Sequence, residues 1–482
     1  MTFIRKVRTK SGATAVQLAT KNHGKIVRIE HIGSAHTEDD LQLLVGLARQ
    51  QLHRWQLSLL SQPASLKLSL GTTVSDVLLT VLTEQYRQLG FDQLADEDFA
   101  LLCVARIVEP VSKLDSLRVL TELGAGELSK DRLYRCLARA VTRNYRATIA
   151  RCCVAHANHT GVHLLLYDVT TLYFEIQKED EYRKPGMSKE RRLEPQIIVG
   201  LLVDQRGFPL GVHSFTGNTA ETTTILPVLE QFRVQHQLTQ PLTVVADAGM
   251  LSTKNLEALD RAGYTYIVGA RLQKIPDVVH TYRSTHETFT DGQVLTAHGA
   301  DHRIIYQYRE KRAALDRRNI AKQIAKAEKI VSGTTVASKA KFLTVTTKEK
   351  HLNQVLIDKA MALAGVKGYA TNLDRPDGEI ISAYHQLWNV EASFRMSKSD
   401  LKARPIFHHK RDSIEAHLTV VFAALAIART IEARTGVSIQ QFVKTVRPIR
   451  SGTILLNGRE YRAEAEISEP AATLIQKVQA GH

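Results

Sequence analysis

LLLYDVTTLYFE, residues 164–175, sets an acidic side chain, Asp168, directly after an apolar run of the kind that fills a buried strand. An ionised carboxylate in apolar surroundings is strongly disfavoured unless it is paired, neutralised or bound to a metal. The stretch therefore predicts a sheet strand whose acid finds partners elsewhere in the chain. Downstream, IIVGLLVD (197–204) and FPLGVHSF (208–215) read as a hairpin around QRG, and ETTTILPVLEQF (221–232) reads as a helix. LTVVAD (242–247) is a further strand, LSTKNLEALDRAG a short helix, and YTYIVGA (264–270) another strand. Three consecutive strands followed by alternating helix and strand predict an α/β fold, a mixed sheet flanked by helices. Asp168 and Asp247 then lie within or at the end of strands that such a topology can place side by side.

The flanking regions follow other rhythms. The first thirty or so residues are strand-forming, as in KIVRIEHIG, and from about Thr37 to Ala157 the pattern becomes helical, as in VSDVLLTVLTEQY (74–86). Two short helical patterns, SKLDSLRVLTELG (112–124) and LSKDRLYRCLARA (128–140), are separated by a glycine turn, with Ser129 placed as an N-cap. That is the outline of a helix-turn-helix, with Lys130, Arg132, Arg135 and Arg139 along its second helix. An ordinary helical hairpin with a solvated basic face fits the same pattern. Residues 275–365 break the strand–helix rhythm and read as an insertion, part strand and part helix. Its basic segment EKRAALDRRNIAKQIAKAEK (310–329) is either a DNA-facing helix or a solvated one.

Lysine and arginine outnumber aspartate and glutamate 64 to 49 in 482 residues, a formal charge of +15. Such a surplus favours a polyanionic partner, nucleic acid before membrane. The four cysteines, Cys103, Cys136, Cys152 and Cys153, suit neither a zinc site nor a disulfide framework and read as reduced thiols. With no apolar core in MTFIRKVRTK to serve as a signal peptide, a cytoplasmic location is expected. The apolar run LTVVFAALAIA (418–428) is too short to span a bilayer and predicts a buried core helix.

The third chemical stretch is AYHQLWNVEASFRMSKSDLKARP, 383–405. On one continuous helix Tyr384, Glu391 and Lys398, spaced by seven, would fall within about 40° of each other. Leu387, Val390 and Phe394 form the adjoining apolar stripe, so this helix is expected to pack on the sheet with Glu391 at the edge of the buried face. Three carboxylates brought together repel one another, and a divalent cation resolves the repulsion. Hard oxygen donors suit Mg²⁺ or Mn²⁺ better than zinc. His408, His409 and His417 follow, and suit packing and phosphate contact better than a metal site. Thr170 and Thr171 are expected to support the Asp168 strand by hydrogen bonding.

The order Asp168, Asp247, Glu391, with Tyr384, Glu391 and Lys398 at their spacings, resembles bacterial insertion-sequence transposases of the DDE type. The branch is the insertion-sequence-four superfamily, with its tyrosine, arginine, glutamate and lysine signature. DVTTLYFE, GMSKERR, GLLVDQRGFPLGVHSFTGN, VVADAGMLS and RPIFHHKRDSIEAH also look like that family, over roughly 160 to 430. ARIVEPVSKLDSLRVL extends the likeness more loosely toward the amino terminus. Where the signature has arginine this chain has Leu387, and Arg395 is the substitute expected.

The resemblance implies an RNase H-like core with an inserted subdomain and a mostly helical N-terminal region. It divides the chain into 1–157 (DNA-end binding), 158–274 (first part of the core), 275–365 (insertion), 366–435 (second part of the core, with the glutamate helix) and 436–482 (C-terminal extension). It further implies that Asp168, Asp247 and Glu391 hold Mg²⁺, with Mn²⁺ able to substitute. Tyr384, Arg395, Lys398 and Arg404, with Lys130, Arg132 and Arg135, are expected to contact double-stranded DNA. The implied activity is metal-dependent cleavage of 3′ ends at terminal inverted repeats followed by strand transfer, by a homo-oligomer on nucleoid DNA. A catalytically silent DNA-binding protein and a metal-dependent nuclease are the alternatives on the same fold.

Overall fold

The apolar run from Leu164 forms a central strand in the computed structural model, which describes residues 2–9, 12–60, 68–158, 164–174, 179–186, 194–250, 252–299, 301–334, 340–345, 350–404, 406, 408–456 and 459–480. The main sheet contains, in chain order, β1 (Leu164–Tyr173), β2 (Gln196–Val203), β3 (Pro209–Thr216), β4 (Thr243–Ala246), β5 (Thr265–Ala270), β6 (Val294–His298), β7 (Arg303–Tyr308) and β8 (Val366–Thr371). Their spatial order is β6-β7-β8-β5-β4-β1-β2-β3. β1, β2 and β3 are antiparallel neighbours, whereas β4 and β5 run parallel to β1. This is a mixed, RNase H-like sheet. Met187 to Arg192 of GMSKERR, Glu175, Leu251, Pro405 and Phe407 lie outside the described residues.

Burial explains the strand sequences. β2, QIIVGLLV, is buried at every position, as expected of a strand covered on both faces. Three helices matter for the site: α1 (Asp377–His385), α2 (Trp388–Arg395) and α3 (Arg411–Thr435). Phe394 from α2 and Leu418, Val421, Phe422 and Leu425 from α3 close over Leu172, Val199, Leu201 and Val212 of the sheet. α3 is long and apolar enough in composition to cross a membrane, but 89% of its apolar window is buried inside this fold. It is the core helix that its sequence predicts.

The single helix expected over 383–405 is divided in the structure. α1 stops at His385, and Leu387, Asn389 and Val390 donate their amides to carbonyls three residues back, at Tyr384, Gln386 and Leu387. The tightened turn between α1 and α2 buries Leu387. Beyond α2 the backbone widens into a single π turn, Met396–Asp400. Tyr384, Glu391 and Lys398 are therefore carried by three successive segments instead of one straight stripe.

The chain falls into two compact units, the main sheet lying in the second. One comprises Met1–Thr73 with Gly452–Glu464, the other Val74–Ser451 with Ala465–His482. In the first unit, strands Thr2–Arg8, Thr14–Asn22 and Lys25–Ala35 form an antiparallel sheet covered by helix Glu38–Leu60. In the second, five α-helices from Asp76 to Asn158 precede β1. Among them Ser129 caps Lys130–Thr142, its Oγ accepting from the Arg132 amide at 3.3 Å. The stretch read as an insertion contributes β6 and β7, which extend the main sheet through β8, and helix Glu310–Val331, whose Ala313, Ile320, Ala327 and Ile330 are buried. All four cysteines are free and buried.

Gly200 of β2 lies beside fully buried Tyr167, and a Cβ there would run into the tyrosine hydroxyl and come within 3.0 Å of the ring. Gly200→Ala is expected to cost roughly 1–3 kcal/mol through overpacking. A thermal unfolding midpoint equal to that of the wild type would show that the strands adjust freely.

Candidate active site

β4 is only four residues long, and its last residue, Ala246, pairs with Tyr167 of β1. The parallel pairing thus ends one position before both acids. Asp168 is the first β1 residue past it, and Asp247 is the first residue after β4. Asp168 is half-buried, so it does not sit in the fully apolar surroundings that the run before it predicts, while Asp247 is exposed just past its strand. The physical reason is the short neighbour: where β4 stops, β1 is uncovered on that side. Strand periodicity places Asp168 on the same face as Thr170 and Leu172, the face toward α2 and α3.

Asp247 is held from two directions. Its Oδ1 accepts from the amide of Ala248 at 2.8 Å and from the hydroxyl of Tyr384 at 3.2 Å. Tyr384, on α1, is buried, and burial first and the adjacent Asp247 second push its phenol well above the ordinary range. The hydroxyl stays a donor. Gly269 of β5 makes this approach possible, since a Cβ there would stand 2.6 Å from the tyrosine oxygen. The Tyr384 ring meets Tyr369 of β8 edge-on, with centroids 4.9 Å apart.

Glu391 is exposed in the first turn of α2, where the positive end of the helix dipole favours an anion. α2 is anchored to the β2–β3 turn. Asn389 Nδ2 donates to the Gln205 carbonyl and Ser393 Oγ to the Gly207 carbonyl, each at 2.7 Å. Gly207 has a left-handed φ of 81°, and a Cβ would stand 2.9 Å from the Asn389 carbonyl oxygen. Lys398 Nζ, on the π turn, donates to Thr170 Oγ1, so this lysine reaches the face of β1 that carries Asp168. Among the described residues no group of three His, Cys, Asp or Glu side chains stands together as a metal cage. The two aspartates are hard oxygen donors at adjoining positions, a donor type that suits a divalent cation, and Glu391 is carried by α2, a helix packed on the same sheet.

The other expected residues are distributed as follows. Arg395 is exposed at the end of α2. Arg404 lies over the ring of Tyr173 at 5.1 Å. Arg132 and Arg139 are tied into the helical region: Arg132 Nη2 lies 2.7 Å from Asp98, and Arg139 Nε 2.8 Å from Asp96. Lys130 stands 6.0 Å from the ring centre of Tyr134, and Arg135 is exposed.

Lys367 on β8 escapes the sequence reading. Its Nζ lies 4.3 Å from the centre of the Tyr384 ring, and its charge interacts with both Asp247 and Glu391. An isolated lysine in VKGYAT carries no signal, because its place depends on β8 pairing with β5 from almost a hundred positions away. Arg271, just past β5, is a second such residue, donating to the Gly249 carbonyl in the loop after Asp247 at 3.1 Å.

An RNase H-like sheet with one aspartate midway along its central strand, a second just past the adjoining parallel strand, and a glutamate-bearing helix packed on the same sheet is the arrangement of DDE-type enzymes acting on nucleic acid. A family model for the transposase DDE domain matches residues 163–427, and the chain belongs to that family. The family is generally dependent on a divalent metal. A cryo-EM structure of the piggyBac transposase synaptic complex with hairpin DNA is similar at 10% identity and a TM-score of 0.43, with 77% of each chain covered. Comparison with curated proteins returns no match.

Burial, followed by Arg312, lowers the Lys367 ammonium from its usual 10.5, with Asp247 and Glu391 opposing. Between the folded value and 10.5 the unfolded chain binds the additional proton, so stability rises with pH in that window. Lys367→Met is expected to raise the unfolding midpoint at neutral pH and to remove that alkaline rise. A midpoint below wild type at pH 7 would mean that the carboxylates outweigh the burial.

Proposed function

We propose that this chain is the transposase of a bacterial insertion sequence, of the insertion-sequence-four superfamily. It binds the element's terminal inverted repeats in double-stranded DNA, cleaves their 3′ ends and joins them to target DNA. The observation that carries the reading is the end of the β1–β4 pairing, which sets Asp168 and Asp247 at adjoining positions opposite the Glu391 helix.

In this reading Asp168, Asp247 and Glu391 hold Mg²⁺, for which Mn²⁺ can substitute. When bound, the ion supplies Lewis acidity and an activated water or 3′-hydroxyl for in-line displacement at phosphorus. The chain's own groups do the rest. Tyr384 fixes the Asp247 carboxylate through its hydroxyl. Lys367, beside the Tyr384 ring, and Lys398, bonded to Thr170 on the Asp168 strand, meet the negative phosphates of the substrate strand, and Arg395 takes the contact that the signature assigns to the position of Leu387. Buried Leu387 cannot reach a phosphate. The excess of 64 basic over 49 acidic residues supports a long DNA contact, to which Lys130 and Arg135 contribute from the helical region. Joining two ends requires two active sites, hence a homo-oligomer assembled on DNA, and the proposed location is the cytoplasm, at the nucleoid.

The test is a Mg²⁺-dependent cleavage and strand-transfer assay on the terminal repeats with wild type, Glu391→Gln and Lys367→Met. Wild type is expected to give nicked and joined products, and Glu391→Gln neither, while keeping its affinity for DNA. Lys367→Met is expected to be slower by about ten- to a hundredfold, the loss for one charge-assisted hydrogen bond. Nicking without joining would favour a nuclease. Binding with no cleavage in Mg²⁺ or Mn²⁺ would favour a silent DNA-binding protein, with Leu387 the first residue to restore to arginine.

A further inference from the structure

In the second unit, the loop after helix Glu97–Val108 and the segment around His408 line a cavity of about 400 Å³. Its lining includes Arg106, Lys113, Lys402, His408 and His417, with a single carboxylate, Asp115, which accepts from Ser112 Oγ at 2.9 Å. Arg106 and Lys113 are each only 6% exposed and His417 4%. Buried cations of this kind ordinarily face carboxylates, as Arg139 faces Asp96 elsewhere in the fold. Among the described residues no carboxylate acts on the charge of Arg106 or Lys113; Cys103 neighbours both, and Lys113 also has Cys136 and Arg106 beside it.

The protonation states follow from the same crowding. His417 Nε2 lies 3.1 Å from the Ala403 carbonyl and donates to it, which leaves Nδ1 to accept from the Lys113 ammonium at 3.3 Å. Burial, then Lys113 and Arg106, push His408 down to about 4 and hold His417 well below its usual value. Burial first and Arg106 second depress Lys113, and burial brings Arg106 to about 10. Two histidines are thus kept neutral by burial and by two enclosed cations that no carboxylate offsets, an arrangement that is costly unless an anion enters.

We propose that this cavity is a binding site for a phosphate-type oxyanion, held by the Arg106 guanidinium and the Lys113 ammonium, with Ser112, His408 and Lys402 at its margin. A guanidinium fork beside an ammonium, with a hydroxyl at hand, matches the several oxygens of a tetrahedral anion. His417 and Lys113 join the site to the chain that follows the π turn, since Ala403 lies on that segment. An anion here therefore braces the stretch running on from Lys398. The oxyanion has two sources, inorganic phosphate or a backbone phosphodiester of DNA. The site stands apart from the acidic triad, so its occupancy can be tested whether or not the chain transposes.

Isothermal titration of the full chain with inorganic phosphate, against chloride at matched ionic strength, tests it. Saturable binding at one site is expected for wild type, and Arg106→Leu and Lys113→Met should each weaken it about ten- to a hundredfold. Each variant removes an uncompensated buried charge, so its thermal midpoint without phosphate should equal or exceed that of wild type, separating a lost site from a lost fold. If either variant does not fold, Lys402→Gln, on the exposed margin, should still weaken binding severalfold. Absence of saturable binding, or equal affinity in wild type and every folded variant, overturns the proposal. A short DNA duplex added as competitor identifies the source. Loss of phosphate binding in its presence means that the backbone phosphodiester occupies the cavity, and unchanged affinity means that the site takes the free anion.

Discussion

The structure turns on the shortness of one strand. β4 pairs with β1 for four residues and stops, and that stop exposes the edge of β1 at the position where the acid stands. β1 is also where the sheet changes sense, antiparallel toward β2 and parallel toward β4. Crevices at the carboxyl ends of parallel strands, beside such a change, are where open α/β sheets place their ligands. Had β4 run on by two residues, Asp168 and Asp247 would have been locked side by side in the ladder, where their mutual repulsion would weaken it.

The surroundings of the acids answer to that geometry. Asp247, just past the last ladder pair, is immobilised by its own Ala248 amide and by Tyr384. Tyr384 reaches it because Gly269 presents no side chain. Lys367 stands over the tyrosine ring, bringing one positive charge to a cleft of negative ones. On the opposite wall, α2 is held by two side-chain bonds to the β2–β3 turn, so Glu391 is placed by the hairpin that also covers Asp168. Acids, tyrosine, lysine and glutamate helix therefore share one small set of backbone constraints.

Much of this was legible in advance. The hairpin of β2 and β3, the strands β1, β4 and β5, and the helices between Asp76 and Thr142 announce themselves by periodicity, with Ser129 marking its helix start. The core role of α3 follows from its apolar run. Less legible was the division of 383–405, since i and i+7 spacing looks the same whether a helix is straight or interrupted at Gln386–Leu387. The depth of Asp168 is not legible in its stretch, because an apolar run reports on its own residues and not on where its neighbour ends. Arg132 and Arg139 read as a free basic face, yet their partners Asp96 and Asp98 come from a helix more than thirty residues earlier.

The sequence by itself determined the local elements, the identity and order of Asp168, Asp247 and Glu391, and the basic balance that calls for a polyanion. Those properties are carried by residue type and short-range spacing, which need no knowledge of the fold. Tertiary structure decided that Asp168 and Asp247 stand at adjoining positions just past one strand pairing, how exposed the acids are, that the Lys367 charge interacts with both Asp247 and Glu391, and that Arg106, Lys113, His408 and His417 share one cavity. Each of these depends on segments remote in the chain being packed together. Packing is settled by the sum of burial and backbone pairing over the whole sheet, a quantity that no single stretch of sequence contains.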